Sequence, residues 1–146
     1  MSGFPPDIIA AAQTSHHAYP TCLASLSLAQ WAVESAWGTH SPGNNPFGIK
    51  HMTGFPDQVF HTHEVVHGQR VAVDCTFAAF PSIVDAFTAH AALIATRPQY
   101  APAIAKLPDV TAYVTALAHV YATDPNYAHL ILSIINGHDL TQYDGG

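Results

Sequence analysis

Apolar residues recur at helical spacing along most of the chain, and this pattern predicts a mainly helical protein. A first helix is expected over about residues 5–18. A second is expected over about residues 20–37, with Pro20 in its first turn and Gly38 as its C-terminal stop. Further helical segments are predicted in the C-terminal half, over about residues 82–95, 98–105, 110–121 and 124–137. Three of them begin with a predicted capping residue: Ser82, Asp109 and Asp124.

A different pattern separates the two groups of helices. Residues 41–46 contain too many turn-forming residues for regular structure, and alternating apolar and polar positions follow over residues 58–66. A His67-Gly68 turn and a returning segment over residues 70–75 complete a predicted β-hairpin. The predicted fold class is therefore α+β, mainly α, with a helical body and one small β-hairpin that forms a wall of a cleft.

Length and composition favour a single domain over residues 1–146. With 146 residues, of which 49% are apolar, the chain can bury a real core but is short for two domains. Its four lysine and arginine residues and its net charge of −6 leave no basic surface for phosphates, which argues against nucleic acid as a partner. No apolar run is long enough to cross a bilayer, so membrane insertion is not expected.

The beginning of the chain lacks the features of a conventional signal peptide. Its first twenty residues contain no lysine or arginine and no unbroken apolar run. We therefore expect either export by a non-standard route or a chain from which a leader has been trimmed. The two cysteines, Cys22 and Cys75, have no metal-binding spacing. Core thiols are the favoured interpretation, and pairing after export is the alternative.

The chain contains only two glutamates, Glu34 and Glu64, and each lies in a segment that suggests catalysis. Glu34 falls in the last turn of the second predicted helix. There the negative end of the helix dipole and the neighbouring Trp31 and Trp37 should raise its pKa. Glu64 lies on the first strand of the predicted hairpin. Two carboxyl groups across a cleft, one of which keeps its proton near neutral pH, are what hydrolysis of a glycosidic bond requires.

Three hairpin histidines, His61, His63 and His67, offer a different interpretation. Alternate residues of a strand share a face, and imidazole is a common zinc ligand. However, the closed histidine and cysteine spacings of structural zinc sites are absent. We therefore expect histidines that face solvent or the cleft edge, with no metal and no cofactor.

Several longer motifs point to one enzyme family. The segments at residues 29–38 (AQWAVESAWG) and 44–50 (NNPFGIK) strongly resemble the glucosaminidase family of peptidoglycan hydrolases, glycoside hydrolase family 73, which includes bacterial autolysins and the flagellar-rod hydrolase. Similar motifs continue in order at residues 62–64, 77–82, 121–128 and 139–144. The resemblance covers about residues 20–144. It implies a lysozyme-like fold and an endo-β-N-acetylglucosaminidase that cuts the β-1,4 bond on the N-acetylglucosamine side of peptidoglycan.

The resemblance also implies catalytic roles for three residues. Glu34 would be the acid that protonates the bridging oxygen. Glu64, on a mobile hairpin, would activate water or stabilise the positive charge that develops on the sugar. Tyr121 would assist from the wall of the −1 subsite.

Four further residues would bind the substrate on the same grounds. Asn45 and Phe47 would shape the sugar-binding floor beneath the hairpin, and Tyr127 would contribute to the cleft wall. Trp37, which lies close to Glu34 in the chain, would contact the glycan as well.

Two questions about the chemistry stay open at this level. Inverting, covalent retaining and substrate-assisted mechanisms could all use this pair of carboxylates. A muramidase or a lytic transglycosylase would fit the same fold, and so would a non-catalytic module for peptidoglycan binding or assembly.

The absence of a visible signal or wall-anchoring segment leads to an expectation about biology. A phage lysin or a secreted antibacterial effector would act in the periplasm or the extracellular cell wall on peptidoglycan glycan strands. An effector would also need an inhibitor or immunity protein as a partner in the cell that produces it.

Overall fold

The computed structural model describes residues 3–145, which form six α-helices and one two-stranded antiparallel β-hairpin. The helices are α1 (Pro6–Ala18), α2 (Ala24–Glu34), α3 (Ile83–Thr96), α4 (Ala101–Ile104), α5 (Val110–Tyr121) and α6 (Tyr127–Gly137). The strands are β1 (Asp57–Val66) and β2 (Gln69–Ala78), and short 3-10 turns lie at Pro42–Asn44, Pro98–Tyr100 and Leu140–Tyr143. The predicted mainly helical α+β fold with one hairpin is confirmed. Within the described range, no helix is long and apolar enough to cross a membrane.

Helix α2 lies at the centre of the helical body. Every residue from Ala24 to Ala32 is buried, including the polar Ser25, Ser27 and Gln30. Helices α1, α3 and α6 pack around it. A helix buried on all sides needs no amphipathic stripe, which explains why its small polar residues occur among the apolar ones.

The prediction that α2 starts at Pro20 is wrong, because the helix begins at Ala24. The four residues before it form a turn and an extended link, in which the Cys22 N–H donates to the Tyr19 carbonyl. The buried Tyr113 hydroxyl of α5 donates to the Thr21 carbonyl at 2.7 Å and fixes this link against the body. The tertiary contact therefore overrides the tendency of proline to open a helix.

The predicted end of α2 near Trp37 is also wrong, because the helix ends at Glu34. Ala36 and Trp37 adopt left-handed backbone angles, with φ of 48° and 57°. The Trp37 N–H then donates back to the Ala32 carbonyl at 2.9 Å. Gly38 follows with φ of 86°, and a Cβ atom there would lie only 2.8 Å from the Trp31 ring. Glycine is therefore required in this terminating turn, although the helix has already ended.

The hairpin follows the predicted alternation and turn. His67 and Gly68 have φ of 50° and 78°, as a tight two-residue turn requires. The returning strand extends beyond the predicted residue 75 to Ala78. At the base of the hairpin, the buried Asn45 side chain donates to the Ala78 carbonyl at 2.9 Å. Most residues toward the tip are exposed on both faces, so the base attaches the hairpin to the helical body.

The helix starts predicted from capping residues have mixed outcomes. Ser82 accepts from the Asp85 N–H at 3.2 Å at the start of α3, and Asp109 accepts from the Ala112 N–H at 3.1 Å at the start of α5. Both predictions are confirmed. Helix α6 begins at Tyr127 rather than at Asp124, because the Asp124 carboxylate instead stabilises a turn by accepting from the Asn126 N–H at 2.8 Å.

The C-terminal segment caps the start of α2. Leu23 occupies the cap position and provides no side-chain acceptor. The Asp144 carboxylate takes that role, because it accepts from the Ser25 N–H at 2.8 Å and from the Ser25 hydroxyl at 2.6 Å. The C-terminal segment is thus joined to the first turn of the central helix, where a negative charge is also favoured by the helix dipole.

We predict that Asp144→Ala lowers the free energy of unfolding by about 1–2 kcal/mol, the usual effect of losing a helix cap. Asp144→Asn is the matched control, because it keeps an acceptor for the Ser25 N–H and should lose clearly less. Urea unfolding followed by far-ultraviolet circular dichroism measures both variants. An alanine variant as stable as the unmodified protein would show that the cap contributes nothing.

Candidate active site

A cavity of about 450 Å³ lies between the end of α2, the loop before the hairpin and the inner face of the hairpin. Glu34, the last residue of α2, contributes the carboxyl group at its inner end. The other lining residues come from the loop and from the two strands: His40, Pro42, Asn45, Pro46, Gly48, Gln58, Phe60, His61, Thr62, Cys75 and Phe77. The wall formed by the hairpin agrees with the predicted cleft.

Two opposing effects set the pKa of Glu34. Its side chain is open to the cavity, but surrounding protein removes enough water from the carboxyl group to raise its pKa. The Tyr127 hydroxyl donates to Glu34 Oε2 at 3.4 Å and works against this rise by stabilising the ionised form. Desolvation is the larger effect. Glu34 therefore holds its proton to a higher pH than an ordinary glutamate, as the sequence predicted.

Tyr121 and Tyr127 stack on each other, with ring centroids 5.8 Å apart and an angle of 13° between the planes. Tyr127 is buried, and its hydroxyl lies between the Gln30 amide at 3.1 Å and the Glu34 carboxylate. Tyr121 packs against the Tyr127 ring, and burial raises the pKa of Tyr121 well above the ordinary tyrosine value. The structure thus brings Tyr127, for which the resemblance implied only a place in the cleft wall, into direct contact with Glu34.

Asn45 lines the cavity and also holds its walls together. Its Nδ2 donates to the carbonyls of Ile49 and Ala78, at 2.8 and 2.9 Å, and its Oδ1 accepts from the Ile49 N–H at 3.1 Å. Because the side chain is buried and its oxygen and nitrogen are both engaged by backbone, it joins the loop to the base of the hairpin.

Phe47 is buried beneath the loop and lines a second cavity of about 320 Å³, not the first. Its ring stacks on His90 of α3, with centroids 4.1 Å apart and planes 16° apart. Tyr121 also lines this second cavity, and Gly48 lines both. Phe47 therefore forms the floor from below, as part of the core rather than as an exposed sugar platform.

Trp37 lies outside the first cavity, although it is only three residues from Glu34 in the chain. The left-handed turn at Ala36 and Trp37 directs its ring toward Phe4 and His138, at centroid distances of 4.9 and 5.2 Å. The side chain is 45% exposed and is not part of the lining of either cavity. The substrate contact expected from the sequence would need a glycan long enough to extend beyond the first cavity.

Glu64 is exposed on the outer part of the hairpin, where it lies opposite Val71 of β2 in the strand register. It shares a strand face with Phe60 and Thr62, which line the cavity. With a rise of about 3.3 Å per residue, Glu64 lies about 7 Å beyond Thr62 toward the tip. The structure therefore places the second carboxylate on the cavity side of β1 but outside the cavity lining.

Among residues 3–145, no group of three or more histidine, cysteine, aspartate or glutamate side chains is placed so that it could bind a metal ion. His61 instead contacts the Asp74 carboxylate on the neighbouring strand. Cys22 and Cys75 are both free thiols in this structure. Cys22 is buried, as predicted for a core thiol, but Cys75 is half-buried on the hairpin and lines the first cavity.

Two residues of the site were missed in the sequence. Gln30 supplies the amide that contacts Tyr127, and His90 contacts that amide in turn at 2.7 Å. Both lie among the buried residues of mainly apolar helices, and both are essentially buried themselves. A large polar side chain at a core position is the sequence signal that could have identified them, because buried polar groups need specific partners.

A model of the glucosaminidase family, described as mannosyl-glycoprotein endo-beta-N-acetylglucosaminidase, matches residues 9–140 of this chain. The match begins earlier than the resemblance found from motifs, which started at about residue 20, and it confirms that resemblance. No functionally curated protein sequence matches the chain.

Solved structures give the same picture. The catalytic domain of the autolysin Auto from Listeria monocytogenes has a TM-score of 0.81 and 24% identity, over 98% of this chain and 90% of that one. A C-terminally truncated glycoside hydrolase domain of FlgJ from Salmonella typhimurium has a TM-score of 0.74 and 28% identity, over 91% and 96%. A peptidoglycan hydrolase mutant from Sphingomonas sp. A1 has a TM-score of 0.64 and 33% identity, over 94% and 92%. The expected lysozyme-like fold is confirmed.

We predict that Glu34→Gln stabilises the fold near neutral pH but has little effect at acid pH. Folding raises the pKa of Glu34 above its ordinary value of 4.5, so between these two pKa values the native state holds a proton that the unfolded chain has released. Stability must fall as pH rises through that window, and glutamine avoids the loss because it does not titrate. Urea unfolding of both proteins from about pH 4 to about pH 8 measures the difference. Parallel curves would contradict the raised pKa.

Proposed function

Because this chain belongs to the glucosaminidase family, we propose that it is a peptidoglycan hydrolase that cleaves the β-1,4 glycosidic bond on the N-acetylglucosamine side. The observation that carries this proposal is the Glu34 carboxyl group at the end of a buried helix, with a raised pKa, facing a cavity walled by a hairpin. Peptidoglycan as the substrate is supported by the Sphingomonas sp. A1 relative, which bears the name peptidoglycan hydrolase.

Glu34 acts as the general acid in this proposal. A glycosidic oxygen is a poor leaving group until it is protonated, and an acid that still holds its proton near neutral pH can supply it as the bond breaks. Desolvation by the surrounding helical body provides that property. After the proton has been transferred, the Tyr127 hydroxyl stabilises the carboxylate that remains.

Glu64 supplies the second carboxylate, and it does so from the hairpin. It lies on the strand face that lines the cavity, beyond Thr62, so a glycan bound along the hairpin would pass beside it. There the carboxylate activates water or stabilises the positive charge on the sugar ring. Because the outer hairpin is exposed on both faces, movement about its base can carry Glu64 toward the bound sugar.

The stacked tyrosines have separate roles in this proposal. Tyr127 contacts Glu34 and adjusts its proton affinity. Tyr121, in the second cavity next to Phe47, assists by lining the −1 subsite, and Asn45 holds the loop that forms its floor.

The remaining parts of the proposal concern organisation and location. Residues 1–146 act as one catalytic domain, since buried apolar residues from Phe4 to Leu140 form a continuous core. The enzyme acts in the periplasm or the extracellular cell wall, where peptidoglycan lies. As an effector it would need an inhibitor protein in the producing cell that plugs the cleft, whereas a lysin would not. A neighbouring reading frame whose product blocks the purified enzyme would support the effector role, and an inert product would remove that support.

We predict that Glu34→Gln reduces turnover on purified peptidoglycan by roughly 10²–10⁴-fold, as expected for loss of a general acid, while the protein stays folded. Glu64→Gln should cause a smaller but substantial loss. Mass spectrometry of released muropeptides, before and after borohydride reduction, identifies the new reducing end. Products reducible at N-acetylglucosamine that disappear in the Glu34 variant are the expected result.

Other outcomes of this experiment would redirect the assignment. Products ending in N-acetylmuramic acid would indicate a muramidase, and the anhydro form would indicate a lytic transglycosylase. Release of no product by the unmodified protein would favour a binding module. Equal activity of Glu34→Gln and the unmodified protein would refute the whole catalytic assignment.

The two tyrosines should be separable by the pH dependence of kcat/KM. Tyr127→Phe removes the donor that favours ionised Glu34, so the pKa of Glu34 rises and the alkaline limb moves to higher pH. Tyr121→Phe should reduce kcat, on the order of 10²-fold for loss of a positioned polar group, without moving that limb. A Tyr121 variant that shifts the limb and a Tyr127 variant that does not would reverse the two roles.

A further inference from the structure

A continuous row of polar side chains runs through the apolar core to the carboxyl group of Glu34. Consecutive members lie within hydrogen-bonding distance, and they belong to the region around α2, to α3 and to α6. In order from the core to the cleft, they are Cys22, Ser27, His90, Gln30, Tyr127 and Glu34. We refer to this row of six side chains as the polar chain.

The bonds nearest to Glu34 leave little freedom in the middle of the polar chain. His90 Nε2 lies 2.7 Å from Gln30 Oε1, and Gln30 Nε2 donates to the Tyr127 hydroxyl at 3.1 Å. Because a carbonyl oxygen only accepts and an amide nitrogen only donates, His90 must carry its proton on Nε2. Tyr127 then receives a donor from Gln30, which leaves its own proton to be given to Glu34.

At the far end of the polar chain, the hydrogen bonds can also run from donor to acceptor in the direction of Glu34. Burial lowers the pKa of His90 to about 3, so the ring is neutral and its Nδ1 is an acceptor for the Ser27 hydroxyl at 3.4 Å. Burial also raises the pKa of the Cys22 thiol to about 12, so the thiol is protonated and can donate to Ser27 at 3.4 Å. Every donor therefore points toward Glu34.

The His90 ring is held rigidly enough to set this direction. It is 2% exposed and stacks on Phe47. It also makes an edge-to-face contact with Tyr121, with the two ring centroids 6.3 Å apart. If the Gln30 amide were reversed, its NH₂ group would face the N–H of His90, and two buried donors would oppose each other. The Nε2 tautomer of His90 and the observed direction of the Gln30 amide therefore require each other.

We propose that His90 is a positioning residue for Glu34: through Gln30 it fixes the Tyr127 hydroxyl as a donor to the carboxylate in the cleft. This inference rests on the proposed role of Glu34 as the glycosidic acid only where turnover is concerned. The orientation itself is a property of the folded protein and can be tested without substrate.

Removal of the His90 donor has a defined consequence. Gln30 is then free to present its carbonyl oxygen to Tyr127, and the tyrosine proton is drawn to Gln30 instead of Glu34. Desolvation of Glu34 is no longer opposed, so the pKa of Glu34 rises. The other titratable groups that line its cavity, His40, His61 and Cys75, are unchanged, so a difference between variants reports the polar chain.

The composition of the chain makes this measurement direct, because Glu34 and Glu64 are its only glutamates. Protein labelled with ¹³C at the glutamate carboxyl carbon gives two signals, and Glu34→Gln identifies which one belongs to Glu34. The titration is followed in the unmodified protein, in His90→Phe and in His90→Gln. Phenylalanine keeps a flat ring against Phe47 but has no nitrogen, whereas glutamine restores an N–H donor near the position of Nε2.

The expected result is a Glu34 titration that moves to higher pH in His90→Phe and returns toward its original position in His90→Gln. On peptidoglycan, His90→Phe should reduce kcat by about ten- to a hundredfold, the scale of a slightly misplaced catalytic group, with little change in KM. Phe87→Leu is the matched control. Phe87 packs against the edge of Phe47 on the same helix as His90 but lies outside the polar chain, so its variant should lose stability without moving the titration.

Several results would overturn the proposal. One is a folded His90→Phe variant whose Glu34 titration is unchanged, and another is an equal shift in Phe87→Leu, which would reveal general loosening of the core. If His90→Phe does not fold, Ser27→Ala replaces it. That variant removes the donor to Nδ1 and should move the titration in the same direction by less, and no movement would refute the proposal. A protein inactive on peptidoglycan would refute the proposed function but leave the titration test intact.

Discussion

The burial of helix α2 from Ala24 to Ala32 is the constraint on which the rest of the structure depends. Its polar side chains have no water to bind, and an unpaired polar group in such an interior is strongly destabilising. Ser25 is satisfied by the Asp144 carboxylate from the C-terminal segment, and Gln30 by His90 and Tyr127. Among the described residues, no buried side-chain nitrogen or oxygen lacks a partner. The elements around α2 are therefore held by specific polar contacts as well as by apolar packing.

The same burial explains why Glu34 holds its proton to a higher pH than an ordinary glutamate, as the proposed role of general acid requires. A helix that runs through the core delivers its last residue, Glu34, to the cleft with protein on one side and water on the other. Protein on the inner side disfavours the charge, and the Tyr127 hydroxyl partly compensates for it. Tyr127 can play this part because burial raises its own pKa, so it keeps its proton and remains a donor. The proton affinity of Glu34 is thus a result of packing more than of nearby charge.

Local patterns were sufficient for the hairpin and for the caps at Ser82 and Asp109, since these depend on neighbouring residues. They were insufficient where tertiary contacts decide. Nothing local indicates that Ala36 and Trp37 adopt left-handed angles, so the direction of the Trp37 ring could not be predicted. The motif at residues 121–128 contains both Tyr121 and Tyr127, but only the crossing of α6 over α2 shows which hydroxyl reaches Glu34. No local pattern identifies the role of His90, because its hydrogen-bond partner, Gln30, lies sixty residues away in the chain.

The two carboxylates are held by different kinds of structure, and this division has a mechanistic consequence. Glu34 is fixed by the core through contacts that exist before any substrate arrives. Glu64 is carried by a hairpin joined to the body at its base, where the Ala78 carbonyl accepts from both Asn45 and Gln58. Movement about that base leaves the contacts of Glu34 with Tyr127 and the core intact. It does change the cavity that Glu34 and the hairpin share, so closure of the hairpin over a glycan would remove more water from Glu34 and raise its pKa further. In the proposed mechanism, folding therefore sets the starting proton affinity of the acid, and binding of the glycan both positions the second carboxylate and completes that adjustment.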